Sequence, residues 1–190
     1  FGFEYIENFP SNQGFQAKEM KEIIQDSSIC IVGDDSIDND VINTATKLKY
    51  IVKWGSGTDQ IDIEAAESKG IEVINTPNIL GKYVAEFVLG LIINSLRKIT
   101  INHEKMKEKI WDKSLGTSLY EKVIGFYGYG DIAKNLTNLL EPFNCKIIYS
   151  DLENFKLNNA EYRDIKSLIA DSEILIISAP LTEKTKGIIN

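Results

Sequence analysis

Six short apolar, β-branched runs recur along the 190-residue chain: Ser28 to Val32, Leu48 to Trp54, Ile71 to Asn75, Lys122 to Tyr127, Cys145 to Ser150 and Glu173 to Ser178. Their alternation with helical patterns constrains the fold most. Strands that are apolar at nearly every position must be covered on both faces, and helices placed between successive strands do this by building a parallel sheet. The helical patterns Lys18 to Gln25 and Ile61 to Lys69 are short. A longer one is predicted from Asn78 to about Lys109, where Val84, Phe87, Val88, Leu91, Ile92, Ser95, Leu96 and Ile99 recur at helical spacing. Asn78 follows Pro77 and suits an N-cap. A strand ends at Thr76-Pro77, so the expected organisation is α/β in two lobes, residues 1–77 and 78–190.

Composition removes several function classes. Twenty-one basic against 28 acidic residues leave a net charge of −7, which argues against nucleic acid or an anionic membrane as partner. No apolar run reaches the roughly 18 residues of a spanning helix. Cys30 and Cys145 lie inside strand-like runs and read as buried free thiols, and one histidine leaves no plausible metal set. A cytoplasmic protein is the expectation. The length is short for two complete α/β lobes, which take about 300 residues.

The segment Lys122-Val123-Ile124-Gly125-Phe126-Tyr127-Gly128-Tyr129-Gly130-Asp131-Ile132-Ala133 carries the clearest chemistry. Glycines at this spacing also make ordinary strand-to-helix turns. Here they follow a strand, open a helix, and precede a second strand ending at Asp151, the arrangement of a dinucleotide site. Gly128 permits the tight turn, Gly130 lets the backbone approach a pyrophosphate, and Ala133 keeps the helix near the strand. The helix N-terminus offers unpaired N–H groups and partial positive charge. Asp151 can accept both hydroxyls of an adenosine ribose and repels a 2′-phosphate, which favours NAD over NADP. An S-adenosylmethionine site would want an acid before the glycines, where Phe126 and Tyr127 stand.

A second small-residue turn, Gly55-Ser56-Gly57-Thr58-Asp59, follows the strand ending Lys53-Trp54 and could point backbone N–H groups at an anion. Together with Gln60-Ile61-Asp62, Ala65-Ala66, Gly70-Ile71-Glu72-Val73, Asn75-Thr76-Pro77-Asn78, Val84-Ala85-Glu86 and Ser178-Ala179-Pro180-Leu181-Thr182, these motifs resemble the D-isomer-specific 2-hydroxyacid dehydrogenases, near the phosphoglycerate dehydrogenases. The resemblance covers essentially the whole chain in order.

The resemblance implies a flavodoxin-like substrate lobe and a Rossmann NAD-binding lobe. It also implies NAD-dependent interconversion of a 2-oxo acid and its D-2-hydroxy acid. Ser56 and Gly57 fall in the loop that holds the substrate carboxylate, with Ser56 also next to the cofactor. Lys53 stands where a cation can meet a second anionic group on the substrate. Gly128, Gly130, Asp131 and Ile132 line the pyrophosphate, Asp151 the ribose, and Ala179 with Pro180 the adenosine. The family's catalytic arginine, glutamate and histidine are expected after Asn190, and a first strand and helix before Gly2-Phe3-Glu4-Tyr5, so the chain reads as truncated at both ends. Arg97, Arg163 and His103 do not match that catalytic context, and the fragment is expected to be inactive. The family's long helix forms a two-fold dimer, so a homodimer is expected. An NAD-sensing, corepressor-like regulator on the same fold is the alternative.

Overall fold

In the computed structural model, which describes residues 4, 7, 8, 10, 13–182 and 184–189, the chain divides into two compact units between Ile79 and Leu80. Gly2, Phe3, Tyr5 and Asn190, on which the expectations about the chain's ends rest, lie outside the described residues.

The first unit runs α1 (Ala17–Ile23), β1 (Ile29–Val32), α2 (Asn39–Thr44), β2 (Tyr50–Lys53), α3 (Ile63–Ser68) and β3 (Glu72–Asn75), with the three strands parallel in the order β1-β2-β3. Alternation along each strand divides its side chains between two faces. Val32 and Ile51 enter one core cluster with Met20, Val41, Ile42 and Ala66 from the helices. The expectation that both faces are covered fails here: Ile29, Ile31, Tyr50 and Ile74 are exposed, Ile31 to 70%. Met20 and Ile23 of α1, Val41 and Ile42 of α2, and Ala65 and Ala66 of α3 join a single cluster, and among the described residues the strand residues facing away from it are left exposed. Helix α2 gives no periodic signal because it has six residues; Asp38 caps it by accepting from the Val41 N–H at 2.9 Å.

The second unit runs α4 (Gly81–Arg97), α5 (Ile99–Lys107), β4 (Val123–Tyr127), α6 (Asp131–Leu140), a 3-10 turn at Glu141–Phe143, β5 (Lys146–Ser150), β6 (Glu161–Tyr162), α7 (Ile165–Asp171) and β7 (Ile174–Ile177). Its four parallel strands lie in the order β6-β5-β4-β7. Numbered within the unit this is 3-2-1-4, the half-order of a dinucleotide-binding sheet. Successive strands run outward on one side of β4, and the chain then returns to the other side, which makes the carboxyl ends of β4 and β7 the topological switch point. Ile124, Phe126, Leu136, Ile147 and Tyr149 are buried in its core with Ala85 and Ile92 of α4. A Cβ at Gly125 would lie 1.9 Å from Ser172 Oγ, so any larger residue there requires Ser172 to move.

The single helix expected from Asn78 to Lys109 is two helices, and Asn78 caps neither. Asn78 has φ +61°, and α4 begins only at Gly81 with no side-chain cap. Lys98, in left-handed conformation at φ +53°, ends α4, and the Asn94 Oδ1 turns back to accept from the Thr100 N–H and Oγ1, both at 2.9 Å. The β-branched Ile99-Thr100-Ile101 run after Arg97-Lys98 propagates helix weakly, and the asparagine cap restarts it.

At the amino end of the second sheet, Glu173 accepts from the Val123 N–H at 2.9 Å and pairs with Lys122 at 2.6 Å. These contacts, the lysine first, hold its carboxyl below the ordinary value of 4.5. A carboxyl lowered by folding stabilises above its unfolded pKa, and that contribution is lost as the pH falls through the folded value. The stability difference between wild type and Glu173→Gln is therefore expected to be largest near neutrality and to shrink below pH 4.5. Urea unfolding at pH 7 and pH 3.5 checks this, and a difference that grows on acidification would refute it.

Candidate functional site

Two clusters at strand carboxyl ends carry the chemistry, one in each unit. In the second unit β4 ends at Tyr127 and the chain turns at Gly128, φ +88°, whose N–H donates to the Ser150 carbonyl at 2.8 Å. A Cβ on Gly128 would lie 2.5 Å from the Ala179 nitrogen and 2.6 Å from its Cα. Both conformation and space therefore demand glycine. Ser178 Oγ donates to the Gly128 carbonyl at 2.8 Å, and the Ser178 and Ala179 N–H groups both reach the Tyr127 carbonyl at 2.9 Å, fixing the β7 end against the loop. Pro180 is exposed just beyond, its carbonyl accepting from Thr185 Oγ1 at 2.6 Å.

Tyr129, between the two glycines, turns inward. Its ring meets Phe126 edge-on at 5.7 Å and leans on Tyr149 at 4.7 Å, and its hydroxyl lies 2.9 Å from Thr137 Oγ1. Burial pushes the phenol pKa up, so the group stays neutral. This anchor is not visible in the glycine pattern, where the middle residue reads as variable; its aromatic character was the available signal.

Gly130 caps α6 without a side chain, and a Cβ there would meet nothing within 4 Å. The Gly130 backbone is thus open to solvent, beside first-turn amides that have no intrahelical acceptor. Asp151, just past β5, takes the Tyr129 N–H on Oδ2 and the Leu152 N–H on Oδ1, each at 2.6 Å. Ile132 is half-buried on α6. Asp131 aims its carboxylate at Gly81, where a Cβ would lie 1.8 Å from Oδ2, and accepts from Asn135 Nδ2 at 2.9 Å. An open helix N-terminus, a glycine-paved approach and an adjacent carboxylate fit a dinucleotide's pyrophosphate and ribose.

In the first unit, Gly55 (φ +149°) follows β2, and its N–H donates to Thr76 Oγ1 at 3.0 Å. Ser56 and Gly57 are exposed, and among the described residues their N–H groups have no hydrogen-bond partner. Lys53 is 6% exposed; its ammonium pairs with Asp34 at 2.9 Å and donates to the Gly33 carbonyl.

Residues 89–190 match the NAD binding domain of the D-isomer specific 2-hydroxyacid dehydrogenases. The chain belongs to this family. It is 35% identical over 177 residues to a glyoxylate reductase of Thermofilum pendens, covering 87% of this chain and 52% of the relative. It is 34% identical over 184 residues to a D-3-phosphoglycerate dehydrogenase of Methanocaldococcus jannaschii, covering 93% and 35%. The structure of an NAD-dependent formate dehydrogenase from Staphylococcus aureus in complex with NAD superposes with a TM-score of 0.80 at 25% identity, over 88% of this chain and 53% of that one. The chain thus spans about half the length of the first relative.

In this 2-hydroxyacid dehydrogenase family member the cofactor candidates Gly128, Gly130, Asp131, Ile132, Asp151, Ala179 and Pro180 lie at and just beyond the carboxyl ends of β4, β5 and β7 in the second unit, whereas the remaining cofactor candidate, Ser56, lies in the first unit with Lys53 and Gly57. His103 sits on α5 with its side chain 66% exposed. Arg163 is occupied by Glu161 at 2.7 Å. Among the described residues no helix is long and apolar enough to cross a membrane, and no three His, Cys, Asp or Glu side chains gather as metal ligands. Both cysteines are free, and burial first, then the Asp35 charge, pushes the Cys30 thiol up to about 11.

Proposed function

We propose that this chain is part of an NAD-dependent dehydrogenase that interconverts a 2-oxo acid and its D-2-hydroxy acid, residues 1–77 serving the substrate and 78–190 the dinucleotide. Bound NAD supplies the hydride acceptor. The α6 amides, the Gly128-to-Gly130 backbone and Ile132 hold the pyrophosphate, Asp151 accepts the ribose hydroxyls, and Ala179 and Pro180 bound the adenosine side. Asp131 lends its backbone to the phosphates while its carboxylate stays with Asn135. The Ser56 and Gly57 amides hold the substrate carboxylate, with Ser56 also beside the cofactor. A distal anionic group on the substrate reaches Lys53 by replacing Asp34 as its partner.

The observation carrying this reading is the Asp151 carboxylate hydrogen-bonded to the glycine loop beside the open backbone of Gly130. A negative charge fixed there accepts hydroxyls and repels a 2′-phosphate, which selects NAD over NADP. The exposed stripe of Tyr83, Phe87 and Leu91 on α4, at i, i+4 and i+8, favours a homodimer through that helix, and two free thiols favour a reducing cytoplasm. Turnover of NADH by the full-length protein against a panel of 2-oxo acids, short, apolar and phosphate-bearing, tests the activity. Oxidation of NADH by at least one of them is expected, and none across the panel would refute the reading. Light scattering at twice the protomer mass is the result expected for the dimer.

A further inference from the structure

The two free amides of the first unit owe their direction to the end of β3. The Gly55 carbonyl accepts from the Thr76 N–H at 2.9 Å, and the Ser56 carbonyl accepts from the Asn75 side-chain amide at 2.8 Å. A trans peptide is planar and sets its C=O and N–H antiparallel, and no cis peptide occurs among the described residues. Pinning the Gly55 carbonyl to Thr76 therefore turns the Ser56 N–H away from β3. Pinning the Ser56 carbonyl to Asn75 turns the Gly57 N–H the same way. Gly55, at a φ of +149° that other residues rarely adopt, lets the chain reverse between Lys53 and this pair. Its own N–H is spent on Thr76 Oγ1, so it does not compete for an anion.

The two pins differ. The Gly55 carbonyl is held by the Thr76 backbone N–H, which any residue but proline supplies, whereas the Ser56 carbonyl is held by the Asn75 side chain. Without it the 56–57 peptide is free to rotate and to present the Ser56 carbonyl oxygen, an anion-repelling group, where the Gly57 N–H now stands. We propose that Asn75 is a positioning residue for the substrate carboxylate: by holding the Ser56 carbonyl it aims the Gly57 N–H, beside the Ser56 N–H, at the bound anion. This rests on the reading of Ser56 and Gly57 as the carboxylate loop.

Kinetics of the full-length enzyme at saturating NADH, with the best 2-oxo acid of the panel, test it on Asn75→Ala and Asn75→Asp. One hydrogen bond to a charged group is at stake, so Asn75→Ala should raise KM about tenfold while kcat changes little, because the contact exists in ground and transition states alike. Asn75→Asp should raise it further, since a carboxylate cannot donate to the Ser56 carbonyl and repels the substrate. NADH affinity, measured separately, should stay within about twofold in both variants. An unchanged KM in Asn75→Ala overturns the proposal, and so does a matching loss of NADH affinity, which would mean a general disturbance.

A second readout does not need turnover: titration with oxamate should shift the Ser56 and Gly57 amide resonances of the wild type, and Asn75→Ala should lose the Gly57 response. Wild-type amides indifferent to oxamate overturn the proposal. Amides that respond in an enzyme turning over no 2-oxo acid leave it standing and sink the dehydrogenase reading instead.

Discussion

Gly128→Ala is expected to abolish measurable NADH binding and to destabilise the second unit severely, whereas Gly130→Ala should leave the fold intact and weaken NADH alone. The two glycines look equivalent in sequence, yet the structure gives them opposite reasons to be glycine. Gly128 has φ +88°, and its Cβ would stand 2.5 Å from a backbone nitrogen, so nothing flexible can yield. Left-handed strain costs about 1–2 kcal/mol, and moving the Ala179 backbone disturbs hydrogen bonds worth about 1 kcal/mol each. A total of about 3 kcal/mol is a large part of a typical domain's stability. Gly130 has an ordinary φ of −86° and open space around it, so the methyl costs at most about 1 kcal/mol of capping preference. That methyl does occupy the space assigned to the pyrophosphate. Thermal unfolding and calorimetry with NADH on both variants separate the cases. Equal melting temperatures for the two variants would refute the assignment of a structural role to one and a ligand role to the other.

Asp151→Ala should weaken NADH about 100-fold, because two hydrogen bonds from ribose hydroxyls to a charged acceptor are worth about 3 kcal/mol together. It should weaken NADPH far less. Wild type is expected to bind NADH more tightly than NADPH, because a 2′-phosphate would meet the carboxylate that Tyr129 and Leu152 hold at 2.6 Å. Removing the charge closes most of that gap. The variant should also lose some stability in the absence of nucleotide, since the Tyr129 N–H forfeits its acceptor. Comparable affinity of wild type for NADH and NADPH would refute the assignment.

The features of this chain differ in how far the amino-acid order reveals them. Gly128, Gly130 and Asp151 declare themselves because chain-local requirements put them there: a turn after a strand, a helix start, an acid one strand later. Longer strands such as Val123–Tyr127 and Lys146–Ser150 were legible as apolar, β-branched runs, whereas β6, only Glu161–Tyr162, is too short to leave a pattern. The break at Lys98 was hidden because apolar residues at helical spacing continue across it, and the Asn94 side chain that restarts the helix acts six residues away.

The alternation of strands and helices, the glycine loop with an acid one strand later, and the family are all legible in the amino-acid order, because each rests on short-range patterns. Four features could not be read from the order: Tyr129 is a core anchor, Lys53 is already paired with Asp34, Asn75 reaches Ser56, and Ile29, Ile31, Tyr50 and Ile74 of the first sheet are exposed. Each of these depends on which segments meet in space. Residues 19 positions apart, as Asn75 and Ser56 are, come together only when β2 and β3 pair in register.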